Sequence, residues 1–183
     1  VRLKTIGGRL SATAISFLTL GALAVGTTPA SAAWSDGYVR GYDTFVGDWG
    51  DEGTLAGFGH SSNAACLWQK ILWAEGATEE NGSPFDLADV DGHFGRNTDH
   101  ATKSLQARWG LDDDGLVGNG TFGRADNNLV KESGSTARGE TLNLNYNGRL
   151  YKLDITRNTQ GIYLFKDGSG DWRQAGYDYN TCD

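Results

Sequence analysis

Asp91-Gly92-His93-Phe94-Gly95-Arg96-Asn97-Thr98 and, 23 positions later, Asp114-Gly115-Leu116-Val117-Gly118-Asn119-Gly120-Thr121 share one eight-residue pattern, D-G-x-[F/V]-G-x-x-T. In each copy the Asp-Gly step favours a tight turn, because glycine accepts positive φ. The apolar fourth residue, Phe94 or Val117, can plug a core, and the closing Thr98 or Thr121 is a candidate N-cap for a following helix. Between the copies Ala101, Leu105 and Trp109 recur every four residues, the spacing of one buried helical face, and Gly110 stands where a C-terminal cap belongs. A helix from about Thr98 to Trp109 is therefore predicted between two turns.

The same logic extends outward. Upstream, Leu67, Trp68, Ile71 and Leu72 predict a helix from Asn63 or Ala64 to Trp73 or Ala74. Downstream, Phe122, Ala125 and Leu129 keep an i, i+3, i+7 spacing and predict a shorter helix from about Thr121 to Leu129. Three helices joined by two D-G turns would pack into one compact unit.

This ordered set resembles the peptidoglycan-binding domain appended to many bacterial wall hydrolases, whose core motif reads roughly D-G-x-F-G-x-x-T-x-x-A-x-x-x-x-Q-x-x-x-G-L-x-x-D-G-x-x-G-x-x-T. The likeness covers about residues 64–130, and Cys66 to Gly76 is similar to the family's first helix with its Leu-Gln pair and terminal Gly. The resemblance implies a three-helix module and a peptidoglycan ligand, either the peptide stem or the glycan. Asp91, Gly92, Phe94, Gly95, Thr98, Asp114, Gly115, Val117, Gly118 and Thr121 match the motif and read as scaffold. Gln69 and Gln106, at a recurring helical position, have two readings: each can bond a ligand amide or sugar hydroxyl, or can fasten the neighbouring turn. His93, Arg96 and Asn119, polar and close to the turns, are the stronger candidates for direct ligand contact. Two departures stand out: residues 77–90 lengthen the connection before the first turn, and Cys66 replaces the usual aliphatic residue. With Pro84 and Phe85, the insertion can cover or extend the ligand groove.

The first 32 residues read as a secretory signal peptide: basic Arg2, Lys4 and Arg9, an apolar run from Ala12 to Val25, and small residues at Ala30-Ser31-Ala32. The apolar run is shorter than the roughly 20 residues that span a bilayer. Export is expected, with no membrane span in the mature form. Val1 in a chain without Met fits a GTG initiation codon read literally, a bacterial usage. Removing residues 1–32 takes away those three cations and no acid from the total of 16 Lys+Arg and 23 Asp+Glu, so the net charge moves from −7 to −10. Such a chain repels polyanions, which disfavours nucleic acid, anionic lipid and teichoic acid as partners.

Two cysteines in an exported chain favour a disulfide. A Cys66–Cys182 bridge would tie the last residues to the first helix.

Residues 33–63 form an irregular leader whose aromatics, Trp34, Tyr38, Tyr42, Phe45 and Trp49, are either packed on the module or free to stack on a ligand, packing being favoured. Residues 131–140 (KESGSTARGE) read as a polar linker. Over 141–183, Leu142, Leu144 and Tyr146, the Asn147-Gly148 turn signal, Tyr151, Leu153 and Ile155, and then Ile162 to Phe165 predict an antiparallel β meander of three or four strands. The fold class expected is α+β, a helical module followed by a small meander.

The residue patterns give catalysis little purchase. A calcium loop begun at Asp89 has His93 and Phe94 where an oxygen ligand and a Gly belong, and one begun at Asp112 has Leu116 and Val117 there. His60, His93 and His100 lack zinc-peptidase spacing, and no carboxylate pair is singled out for glycosidase work. No metal, cofactor or catalytic residue is expected. The reading is a secreted, monomeric, non-catalytic wall protein. Two alternatives stay open: a wall hydrolase with an unrecognised catalytic part in residues 131–183, and an extracellular protein-interaction module.

Overall fold

The computed structural model describes Val1 and residues 37–182. Apart from Val1, the expected export segment lies outside the described residues, as does Trp34. Three helices come first: α1 (Asn63–Glu75), α2 (Arg96–Trp109) and α3 (Asn119–Asp126). Five strands follow: β1 (Leu129–Gly134), β2 (Leu142–Asn147), β3 (Lys152–Arg157), β4 (Tyr163–Lys166) and β5 (Trp172–Gln174), an antiparallel sheet in the order β1-β2-β3-β4-β5. The architecture is α+β, helices first and a meander at the C-terminal end.

Helix α1 opens on Ser62, whose Oγ accepts the Ala65 amide at 3.0 Å, and closes on Gly76 at φ 55°. Helices α2 and α3 depart from expectation at their starts. Their N-caps are Gly95 and Gly118, neither with a side-chain cap, so Thr98 and Thr121 lie inside the first turn rather than at the cap. The hydroxyls are drawn away by buried glutamines, described below. Helix α3 ends at Asp126, short of Leu129, because Leu129 already pairs with Tyr146 in the sheet.

Two further expectations are corrected. Residues 131–134 are no linker: they continue β1, and the remaining loop runs only to the start of β2. Their polar composition reflects an edge strand on which only Leu129 is buried. Asn147-Gly148 does not make a two-residue hairpin turn either. Asn147 pairs with Lys152, leaving a four-residue loop, 148–151. That loop reaches the end of α1, where the Leu150 and Tyr151 amides donate to the Ala74 carbonyl at 2.8 and 3.1 Å and Arg149 donates to the carbonyls of Glu75 and Gly76. Orphan carbonyls at the helix end are thereby satisfied in trans. A Cβ at Gly148 would meet the Ala74 carbonyl oxygen at 2.5 Å, so the close approach requires glycine.

The core is one continuous cluster drawn from both halves, running from Val39 to Cys182. Helix α1 packs on the β3 and β5 side of the sheet. The leader joins the two layers, for Trp49 stacks on Phe122 of α3 at 4.5 Å and meets Tyr146 and Tyr163 of the sheet at 6.2 and 5.6 Å. Isolated bridges from the same segment pair Tyr38 with Gly176, Arg40 with Ile162 and Ala56 with Val117. Beneath it Arg157 pairs with Asp48 at 2.7 Å and donates to the carbonyls of Asp43, Thr44 and Thr136, while Tyr163 donates to Asp48 at 2.6 Å. Burial outweighs these partners and pushes the Asp48 carboxyl up to about 6. The Cys66–Cys182 disulfide fixes the tail against α1 across 116 positions. Among the described residues, no helix is long and apolar enough to cross a membrane.

Candidate functional site

The two D-G turns are built by the same device. In the first, the Gln69 amide nitrogen donates to Asp91 Oδ1 at 3.0 Å, to the His93 carbonyl at 3.0 Å and to Thr98 Oγ1 at 3.1 Å. Its oxygen accepts the amides of Asp91 at 3.1 Å and Gly92 at 2.7 Å. In the second, the Gln106 nitrogen donates to Asp114 Oδ1 at 3.0 Å, to the Leu116 carbonyl at 2.9 Å and to Thr121 Oγ1 at 3.0 Å, and its oxygen accepts Gly115 N at 2.9 Å. Asp91 and Asp114 each also accept the amide two residues on, both at 2.8 Å. Gly92 and Gly115 take φ of 74° and 78°, the conformation that demands glycine. Phe94 and Val117 fill the core behind the turns.

Gln69 and Gln106 are essentially inaccessible, at 0% and 1% exposure, with both ends of each amide engaged. Of their two readings the turn-fastening one describes the molecule, and neither side chain is open to a ligand. Helix, turn and helix thus form a unit that occurs twice, with α2 serving as the last helix of one unit and the first of the next.

What differs between the units is what lies outside them. Around the first turn an open depression of about 390 Å³ is walled by Asp91, His93, Arg96 and Asn97 on one side and by Glu80 and Asp89 of the insertion on the other. His93 and Arg96 are exposed, and neither side chain has a hydrogen-bond or ion-pair partner among the described residues. The insertion is anchored by buried Phe85, whose amide donates to the Ala77 carbonyl at 2.7 Å, and by buried Val90. It extends the depression rather than covering it. The C-terminal tail closes the far side of the turn, Asn180 donating to the Asp91 carbonyl at 2.9 Å and to Ser61 at 3.2 Å. Around the second turn a depression of about 300 Å³ includes Thr54, Asp112, Asp114 and the half-exposed Leu116. Asn119, the third residue proposed for ligand contact, is not gathered with His93 and Arg96, and its Oδ1 accepts the Gly53 amide at 2.7 Å.

Mixed cations, carboxylates and amides in a wide shallow groove suit a ligand rich in amides and hydroxyls. The sequence reading missed the acidic wall from the insertion. Glu79, Asp86 and Asp89 place carboxylate oxygens within 4.8 Å of one another, the one group of metal-ligand types among the described residues. Glu79 is buried there, accepting from Ser83 Oγ and the Asp86 amide, and burial together with a hydrogen bond to Asp89 raises its carboxyl above the usual range. These contacts make it the clasp of the insertion. Set against protein-family models, curated proteins and solved structures, the chain matches none of them.

Proposed function

We propose that this is an exported, non-catalytic cell-wall protein that holds peptidoglycan at the groove beside its first D-G turn. The observation that carries the reading is the doubled D-G-x-[F/V]-G-x-x-T turn, each copy fastened by a buried Gln of the preceding helix. That arrangement agrees with the motif of the peptidoglycan-binding domains the sequence resembles. His93 and Arg96, exposed and unpartnered on the groove, would make the direct contacts, with Asn97 and Asp91 offering further donors and acceptors. The net charge, −10 once Arg2, Lys4 and Arg9 are removed with residues 1–32, speaks for an uncharged or sparsely charged ligand over teichoic acid or nucleic acid.

The test uses the chain without residues 1–32. It should co-sediment with insoluble peptidoglycan stripped of teichoic acid, and moderate salt should weaken the binding little. His93→Ala combined with Arg96→Ala should lower the bound fraction severalfold at unchanged melting temperature. Equal recovery in the supernatant with and without walls would overturn the reading. Clearing in a zymogram of purified walls would overturn its non-catalytic part.

A further inference from the structure

A separate recess lies on the seam between α1 and the β3–β4 side of the sheet, a cleft of about 160 Å³. Its deepest charged group is Lys70, 7% exposed. The ammonium donates to the Asp167 carbonyl at 3.0 Å and lies 4.8 Å from the centre of the Trp73 ring. An ammonium carries three donors, and this is the one hydrogen bond the Lys70 side chain makes among the described residues. Burial lowers its pKa, Asp167 opposes that, and nearby Lys166 adds to it. Lys152 on the rim is exposed, and its ammonium has no hydrogen-bond or ion-pair partner among the described residues. Lys166 pairs with Asp154 at 2.8 Å, but both side chains are largely solvated, at 42% and 57% exposure, and such pairs hold weakly. The other acid nearby, Asp167, is held by Arg173 at 2.6 Å. The cleft is therefore a cationic spot on an acidic protein.

Its walls restrict what can enter. Tyr151 stacks on one face of Trp73 at 4.2 Å and Lys70 lies over the ring as well, so a flat sugar finds no open face there. Leu153 and Phe165 give an apolar floor. A polyanion is repelled by the net negative charge far more than a compact ligand with one negative group and a small apolar body.

We propose that this cleft is a carboxylate subsite in which Lys70, with Lys152 and Lys166 at the rim, receives the C-terminal carboxylate of a short peptide ending in a small apolar residue. The choice of a peptide as carrier rests on the wall-binding reading, since a peptide stem supplies such an end. The subsite lies on the seam made with the sheet, which gives the C-terminal half a part in recognition.

The experiment is an NMR titration of the chain lacking residues 1–32 with N-acetyl-alanyl-alanine, its C-terminal amide, and N-acetylmuramic acid. The free dipeptide should shift the Trp73 indole and the Lys152 and Lys166 amides saturably, the amide should bind at least tenfold more weakly, and Lys152→Ala should weaken the free acid severalfold. No saturable shift, or equal shifts from acid and amide, would overturn the subsite. Stronger shifts from N-acetylmuramic acid would overturn the peptide assignment. Wall co-sedimentation run in parallel separates the two claims. Walls that retain the chain while the titration fails sink the cleft alone, and dipeptide binding without wall retention sinks the wall-binding reading and leaves the cleft standing.

Discussion

The Tyr177 hydroxyl donates to the Glu52 carboxylate at 2.6 Å, joining the N-terminal segment to the C-terminal tail across 125 positions. Glu52 is fully buried and its other oxygen accepts the Arg40 amide at 2.7 Å. Burial outweighs both bonds and pushes the carboxyl up to about 8. A carboxyl whose folded pKa is raised contributes its stability fully below the ordinary value of 4.5, and that contribution is lost as pH rises through about 8.

The melting temperature should therefore fall between about pH 4.5 and pH 8 and level off above, by roughly 2–4 °C for each kcal/mol lost in a domain of this size. Asp48, raised to about 6, adds a loss of the same sign at lower pH. Asp167 acts oppositely: buried, yet held below its ordinary 3.8 by Arg173 and backbone donors, it contributes only above that range. Glu52→Gln should flatten the fall between about pH 6 and pH 8, above the range of Asp48. A melting temperature level from pH 5 to 9, or an unchanged slope in the variant, would contradict the assignment.

Positive φ at the turn glycines makes a second test. Gly92→Ala and Gly115→Ala should each destabilise by about 1 kcal/mol or more, since a Cβ is strained in that conformation and would also strike Asn180 or Asp99. Gly118→Ala, with φ −93° and open space around it, is the matched control and should change little. Denaturant melts of the three variants decide the matter, and equal stabilities would refute the turn geometry.

Gln69→Leu should cost about 2 kcal/mol or more, because it strands the Gly92 amide and the Thr98 hydroxyl, both buried, without the amide that serves them. Gln106→Leu should behave alike, as its bonds to Gly115 and Thr121 repeat those of Gln69. A variant as stable as wild type in thermal melts would show that these bonds are replaceable.

Cleaving the bridge should also be costly. Reduction, or Cys182→Ser, removes a closure across 116 positions and should lower stability by on the order of 4–5 kcal/mol in the chain-entropy model. Residues 178–182 should then become the first protease-sensitive stretch, because beyond Tyr177 the tail is left to hydrogen bonds with Asn63, Ser61 and Asp91. Mass spectrometry of protease digests, with and without reductant, reads both effects.

The helices and turns were legible because their determinants are local: a four-residue apolar period and an Asp-Gly step. The failures share one cause, which is that long-range partners override local signals. Thr98 has the chemistry of a cap, yet Gln69 claims its hydroxyl from another helix. Asn147-Gly148 has the composition of a two-residue turn, yet the next three residues extend the loop to serve the end of α1. Lys131 to Gly134 look like linker because an edge strand shows its polar side chains to water. Nothing near Glu52 or Lys70 in the sequence announces a buried charge, for the Tyr177 hydroxyl that serves Glu52 and the Asp167 carbonyl that Lys70 reaches stand 125 and 97 positions away.

The position of Trp49 bears on the order in which the molecule can assemble. Its ring partners, Phe122, Tyr146 and Tyr163, all follow it by more than 70 positions, and the backbone bonds of Val39 and Gly41 go to Ala175 and Gly161. A chain made or threaded from its first residue produces this strap early and uses it late. Until β4 and the tail arrive, Trp49 has no complete socket, and the sheet lacks the segment that fastens it to the helices. Closing such distant contacts makes assembly slow and leaves hydrophobic surface bare in the interval. A released fragment ending before Tyr163 would keep its D-G turns and still lack the socket for its own N-terminal strap.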